Sequence, residues 1–299
     1  MLSTRLAIGI PMVVGFLAIL WIDTRYLAPW YPLWVLSMLV VLGLAAVEIA
    51  ALLSATSARP SGNTVFGGVL AIVLANWAPH VVQQMIGLDR YYPSAAIDVM
   101  AWPLWAFVAV VMFTFVAQSA QFERPGGTMA TISSTVLAVA YIGVLGSFLV
   151  QIRWLEGPYR GLVPLAALMA TAKGADVGAY TLGRIAGRHK LWPRLSPNKT
   201  IEGALGGLIL GVAGALMVFA IARYGLGIPT IGWPAAVGFG VLVSSAAQLG
   251  DLMESMIKRD CAAKDASQTL PGFGGVLDVL DSLLFAGPVA YGYWLIVGP

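Results

Sequence analysis

Between Ser255 and Ser282 the chain reads SMIKRDCAAKDASQTLPGFGGVLDVLDS, a mixture of carboxylates, amines and turn residues. Of 17 basic and 14 acidic residues in the whole chain, nine fall between Asp251 and Asp281 and another six between Arg184 and Glu202. Counted from Asp251, the residues Glu254, Ser255, Lys258 and Arg259 stand at offsets of 3, 4, 7 and 8. With Gln248 they form one polar helix face, while Met253, Met256 and Ile257 keep another side apolar. The plainer use of such a face is a set of i,i+4 ion pairs, Glu254 with Lys258 for example. The run PGFGG then forces a tight turn, and Asp278, Asp281 and Ser282 follow on one face of the next helix start. A single carboxylate there is explained by the helix dipole. Two of them facing a second acidic helix end repel unless a cation lies between. The turn is expected to bring Asp251 and Asp278 together around a hard, oxygen-liganded ion, Mg²⁺ above all.

Two further groups suit phosphate chemistry. The basic stretch GRIAGRHKLWPRLSPNKTIEG ends where Pro197 and Asn198 suit a helix start, with Lys199 and Thr200 beside free backbone N–H groups. Upstream, LAALMATAKGADVGAYTLGR places Lys173, Asp176, Tyr180 and Arg184 on one face of an apolar helix. A charge at the centre of a membrane helix costs about 2.5–3.5 kcal/mol on insertion scales, so this face is a functional candidate. Lys173 and Asp176, three apart, can pair and lessen that cost. Metal, ammonium groups and a phosphate cradle together are what phosphoryl or nucleotidyl transfer needs. Neither G-x-x-x-x-G-K-[ST] nor G-x-G-x-x-G occurs, which argues against P-loop and Rossmann nucleotide sites.

These groups are set in a very apolar chain. It is 59% hydrophobic and 10% charged, against roughly 25% charged in soluble domains, with a mean hydropathy of +0.84. Nine apolar segments are expected to cross a bilayer, at about 5–22, 31–53, 65–84, 99–118, 129–151, 160–183, 203–222, 231–250 and 282–298. The fold class is all-α, a polytopic membrane bundle; continuous runs such as GALGGLILGVAGALMVFAIA do not alternate as barrel strands do. The expected division is 1–125, N-terminal membrane helices, and 126–299, a catalytic region with cytoplasmic motif loops at 184–202 and 251–281. The basic 184–202 loop sets the cytoplasmic side by the positive-inside rule. Arg5, Arg59 and Arg124 agree with that sidedness, whereas Arg25, Arg90 and Arg153 fall outside. The first apolar run has no small-x-small cleavage site and is read as a retained span.

The net charge of +3 comes from local loops, with no stripe for nucleic acid. Glycines at 203, 207, 211 and 214 allow close helix packing, within the chain or as a homodimer seam. The lone Cys261 is read as incidental, and Glu48, an isolated acid in the second apolar segment, has no assigned partner.

The run Ser255-x-x-Lys258-Arg259-x-x-x-x-Lys264-Asp265, followed by Pro271-Gly272-x-Gly274-Gly275-x-x-Asp278-x-x-Asp281-Ser282, resembles the signature of phosphatidate cytidylyltransferases. Asp176-x-x-Ala179-Tyr180-x-x-Gly183 and Ser196-Pro197-x-Lys199-Thr200-x-Glu202-Gly203 match as well, so the resemblance covers roughly the C-terminal 130 residues. It implies transfer of the cytidylyl group of CTP to phosphatidic acid in the inner membrane, with Mg²⁺ steadying the triphosphate. By that resemblance Asp251 and Asp278 are metal ligands and Asp281 a further candidate. Lys258, Arg259 and Lys264 hold phosphate groups; Asp265 joins the catalytic set; Asp176, Tyr180, Ser196, Lys199 and Ser255 line the substrate cavity. Two positions depart from the family pattern, Phe273 where His is usual and Val279 where Arg is usual. Related alternatives are a CTP-dependent kinase of a lipid alcohol and, with Lys173–Asp176 as an ion relay, a secondary transporter.

Overall fold

The computed structural model describes residues 2–86, 96–123, 125–155, 161–270, 272 and 274–298. Arg90, Arg124, Pro271 and Phe273, which figured in the sequence reading, lie outside the described residues. Ten α-helices are described: α1 (Leu2–Tyr26), α2 (Pro32–Ser54), α3 (Gly62–Ile86), α4 (Ala96–Ala120), α5 (Thr128–Val139), α6 (Leu145–Gln151), α7 (Leu162–Ala186), α8 (Ile201–Ala220), α9 (Trp233–Asp260) and α10 (Val276–Val297). A π-helical turn, Ala140–Val144, joins α5 to α6, so the two form one apolar rod. Each of the nine expected apolar segments falls on one of these rods. Among the described residues, eight helices are long and apolar enough to cross a membrane, which makes this an integral membrane protein of the all-α class. The strands among the described residues are one short hairpin, β1 (Lys190–Trp192) with β2 (Ser196–Thr200), paired antiparallel.

The chain forms two compact units, each discontinuous in sequence. The first comprises 1–150 and 265–279, the second 151–264 and 280–299. In the first, Leu42, Ala45, Ala46 and Ile49 of α2 are buried, as are Val65, Val69 and Ile72 of α3. Polar groups in this apolar setting find partners inside the protein, because hydrocarbon supplies none. Asp23 at the end of α1 accepts the N–H groups of Leu33 (3.2 Å) and Trp34 (2.6 Å), capping α2 from outside its own sequence. Asn76 Nδ2 donates to Ser147 Oγ at 2.9 Å, and the Trp34 indole donates to the Val150 carbonyl at 3.1 Å. By contrast α4 leaves Leu104, Trp105, Met112 and Val116 exposed, as a helix facing lipid tails does.

In the second unit the glycine row has a clear use. A Cβ placed on Gly178 of α7 would lie 2.2 Å from the Gly206 carbonyl of α8, and one on Gly206 would lie 2.6 Å from the Gly178 carbonyl. The two backbones therefore touch, which only residues without a side chain permit. Gly203, Gly207, Gly211 and Gly214 likewise meet carbonyls of α7, so this row is consumed by packing within the chain. The other side of α8 meets α9, where Ser244 Oγ donates to the Gly207 carbonyl at 3.1 Å. α9 and α10 are equally close at Gly250, where a Cβ would lie 2.5 Å from the Asp281 carbonyl. Away from that contact, Phe219, Phe239 and Trp294 pack with ring centroids 5.5 Å and 6.1 Å apart and fix the same three helices.

Gly206→Val forces this backbone contact apart, and overpacking of this kind costs about 1–3 kcal/mol or more. Equilibrium unfolding in detergent should show that loss. Gly292→Ala on α10, where a Cβ meets nothing within 4 Å, should unfold like the parent protein.

Candidate active site

The close approach at Gly250 decides which carboxylates meet. One residue further along α9 stands Asp251, and across from it Asp281 of α10. One helical turn later, at i+3, comes Glu254. Oxygens of Asp251, Glu254 and Asp281 all lie within 4.8 Å of one another. Glu254 is fully buried and Asp281 is 8% exposed, while Asp251 is more open. Two ionised carboxylates at such separations repel by about 3–4 kcal/mol for an effective dielectric constant near 20. Positive charge is supplied on both sides. Lys258, at i+4, forms an ion pair with Glu254, and Lys199 Nζ stands 2.7 Å from Asp251. The pair expected on α7 is also present, Lys173 Nζ lying 2.9 Å from Asp176 Oδ2, and its charges act on Asp281 together with that of Asp251. Beside Asp281, the Ser282 hydroxyl is buried with no hydrogen-bond partner among the described residues.

The sequence reading chose Asp251 and Asp278 as ligands, with Asp281 a further candidate, and passed over Glu254, pairing it with Lys258 instead. Both contacts coexist. Its spacing from Asp251 was the available signal, but burial was not visible in the sequence. An all-carboxylate donor set on two packed helices fits a hard divalent cation such as Mg²⁺.

Lys199 reaches Asp251 by a route that differs from the one expected. Pro197 and Asn198 do not open a helix; Ser196–Thr200 is strand β2, paired with Lys190–Trp192. Thr200 is the N-cap of α8, its hydroxyl accepting the Gly203 N–H at 3.1 Å, as cap residues do. Glu202 then accepts the N–H groups of Arg188 and His189 and contacts His189 Nδ1 at 2.6 Å. The hairpin is thereby folded back on the start of α8, with Lys199 turned onto α9 and Ser196 half-buried on β2.

Other singled-out residues are placed as follows. Tyr180 is exposed on α7 and its hydroxyl accepts from Arg184 Nη1 at 3.1 Å. Ser255 is half-buried on α9, and Arg259 donates to the Ala263 carbonyl at 3.0 Å, closing the end of that helix. Lys264 and Asp265 are exposed in the following loop. Asp278 belongs to the first unit, where its oxygens accept the N–H groups of Gly275 (2.6 Å) and Ala266 (3.1 Å). That is the dipole-capping use weighed for one of the two aspartates, extended across the loop. Cys261 is buried, and burial together with the charge of Asp260 pushes its thiol up, so it stays protonated at neutral pH. Glu48, for which the sequence suggested no partner, is 6% exposed and takes four hydrogen bonds from residues 267–277.

Fold and cluster define an integral membrane protein with buried carboxylates matched by lysines on closely packed helices. It belongs to the cytidylyltransferase family, whose sequence model matches residues 3–297. Among curated relatives, a phosphatidate cytidylyltransferase of Synechocystis is 30% identical over 298 residues, 91% of each chain. That of Bacillus subtilis is 33% identical, the match covering 67% of this chain and 70% of the relative. The one from Staphylococcus saprophyticus is 37% identical over 52% of this chain; the match spans only about half of that relative, 55%.

Removing Lys258 strands the buried Glu254 charge, a change that typically costs about 3–5 kcal/mol. Lys258→Met should therefore melt well below the parent protein in detergent without divalent ions. Millimolar Mg²⁺ should raise its melting temperature more than the parent's, by replacing the missing positive charge.

Proposed function

We propose that this chain transfers the cytidylyl group of CTP to phosphatidic acid, giving CDP-diacylglycerol and pyrophosphate, with Mg²⁺ as its cofactor. The observation that carries the reading is the Asp251–Glu254–Asp281 cluster with Lys199 and Lys258 against it, in a member of the cytidylyltransferase family. A phosphate oxygen of the lipid attacks the α-phosphorus of CTP. A new P–O bond forms there, the bond to the bridging oxygen of the β-phosphate breaks, and pyrophosphate leaves. The lipid phosphate is already ionised at neutral pH, so no general base is required. Bound Mg²⁺ would supply neutralisation of the triphosphate charge.

Asp251, Glu254 and Asp281 are the residues that would hold the ion. Lys199 and Lys258, now matched to these carboxylates, offer ammonium charge to phosphate oxygens brought beside them. Arg259 and Lys264, on the last turn of α9 and in the loop after it, are further phosphate donors. Lys173 and Asp176 keep the membrane-embedded part of the cavity polar; Tyr180, Ser196 and Ser255 belong to its lining. The bacterial relatives and the basic 184–202 stretch support a plasma-membrane enzyme whose active site faces the cytoplasm.

Purified protein in detergent, given Mg²⁺, phosphatidic acid and CTP labelled at the α-phosphorus, should move label into lipid and release pyrophosphate. Asp251→Ala should abolish it. Label retained in the nucleotide, or entering lipid only from the γ-position, would refute the reading.

Asp278 has two uses to separate, as cation ligand and as loop tie. Asp278→Asn keeps an acceptor for the Gly275 and Ala266 N–H groups but loses the charge; Asp278→Ala loses both. If the charge matters to catalysis, both variants should fall by a similar large factor, about 100-fold or more. An Asn variant close to the parent and a crippled Ala variant would assign Asp278 to the loop alone.

A further inference from the structure

Glu48 lies in the C-terminal third of the apolar helix α2 and more than two hundred residues from the groups it binds, yet its acceptor sites are filled. Oε1 accepts the Ser267 hydroxyl at 2.6 Å, the Thr269 hydroxyl at 2.7 Å and the Val276 N–H at 3.1 Å. Oε2 accepts the Leu277 N–H at 2.8 Å. An ionised carboxylate has about four lone-pair sites and donates nothing, so four donors satisfy it fully. The carboxylate also lies at the N-terminus of α10, where exposed N–H groups and the helix dipole favour negative charge. A burial that would otherwise be costly is thus balanced by two hydroxyl and two backbone donors.

The four donors come from both limbs of one loop. Ser267 and Thr269 precede the glycine-rich turn, and Val276 and Leu277 follow it. Two other ties close the same loop: the Leu270–Gly274 backbone pair, at 2.8 and 3.0 Å, and Asp278 on Ala266 and Gly275. Of these ties Glu48 alone reaches in from another helix, α2. A Cβ on Gly275 would come 2.5 Å from Glu48 Oε2, so the glycine is what lets the carboxylate enter.

We infer that Glu48 is a positioning residue for the proposed reaction, holding the loop that carries Asp265 and Asp278 in a preformed shape. It touches no reacting atom and acts through the loop. The inference rests on the cytidylyl-transfer reading for its kinetic part only; the loop-ordering part stands on geometry alone. Misplacement of reactive groups by about 1 Å can cost about 100-fold in rate.

The test uses full-length Glu48→Ala, Glu48→Gln and Glu48→Asp proteins in detergent, with hydrogen exchange, melting and steady-state kinetics on each. In Glu48→Ala, the amides of Thr269, Val276 and Leu277 should lose about tenfold or more in protection, while those of α8 stay unchanged. Its kcat should fall by about 100-fold with little change in KM for CTP. Glu48→Gln, which keeps one acceptor oxygen, should recover part of that kcat, and the shorter Glu48→Asp should not. Unchanged protection at those three amides overturns the inference whether or not the parent protein is active. So does a kcat per folded molecule equal to the parent's, which would leave Glu48 a prop for stability. A parent protein without cytidylyl transfer but with the exchange change intact would instead overturn the functional reading and leave the tie standing.

Discussion

Carboxylates set among apolar helices keep their charge only where the protein itself supplies compensation, and the placement of Glu48, Asp23, Asp251 and Glu254 follows from that requirement. Three kinds of compensation are used. Glu254 takes an ammonium group one turn away on its own helix, Asp251 takes one delivered by a hairpin, and Glu48 and Asp23 take backbone N–H groups at the starts of other helices. The third is economical in a membrane, since a helix N-terminus has unsatisfied donors in any case and needs no basic side chain. The cluster at Asp251, Glu254 and Asp281 departs from this pattern by gathering three carboxylates, with Lys199 and Lys258 set against it. A site of that kind responds strongly to any added cation or phosphate group.

Gathering those charges needs helices that approach more closely than ordinary side chains allow. Gly178 against Gly206 brings the α7 and α8 backbones into contact, and Gly250 does the same for α9 at the Asp281 carbonyl. The glycine at 250 directly precedes Asp251, so the residue that permits contact and the residue that uses it are neighbours. Packing and chemistry are therefore set by one local feature. The aromatic cluster of Phe219, Phe239 and Trp294 holds the same helices elsewhere.

Much of this was legible in the chain. The apolar segments fell where long helices stand, because the length of a bilayer span and the absence of charge are written directly in sequence. The polar face of α9 and the Lys173–Asp176 pair were readable too, since helical periodicity fixes which residues three or four apart share a side. The helix start at Pro197–Asn198 was misplaced. Pairing of Ser196–Thr200 with Lys190–Trp192 competes with helix formation there, and local propensity does not reveal a partner strand. Glu254 was seen as half of an ion pair and not as a cluster member, because its burial depends on α10.

The sequence by itself determined the membrane class, the family signature and the residue types able to hold a cation and phosphate. Those properties reside in composition and in spacings of a few residues, which the covalent chain and helix geometry carry without help. Only the tertiary structure decided that Glu254 joins Asp251 and Asp281, that Lys199 turns onto Asp251, and that Glu48 ties a loop far along the chain. Each of these depends on distances between segments remote in sequence, and such distances are set by packing, which no local pattern encodes.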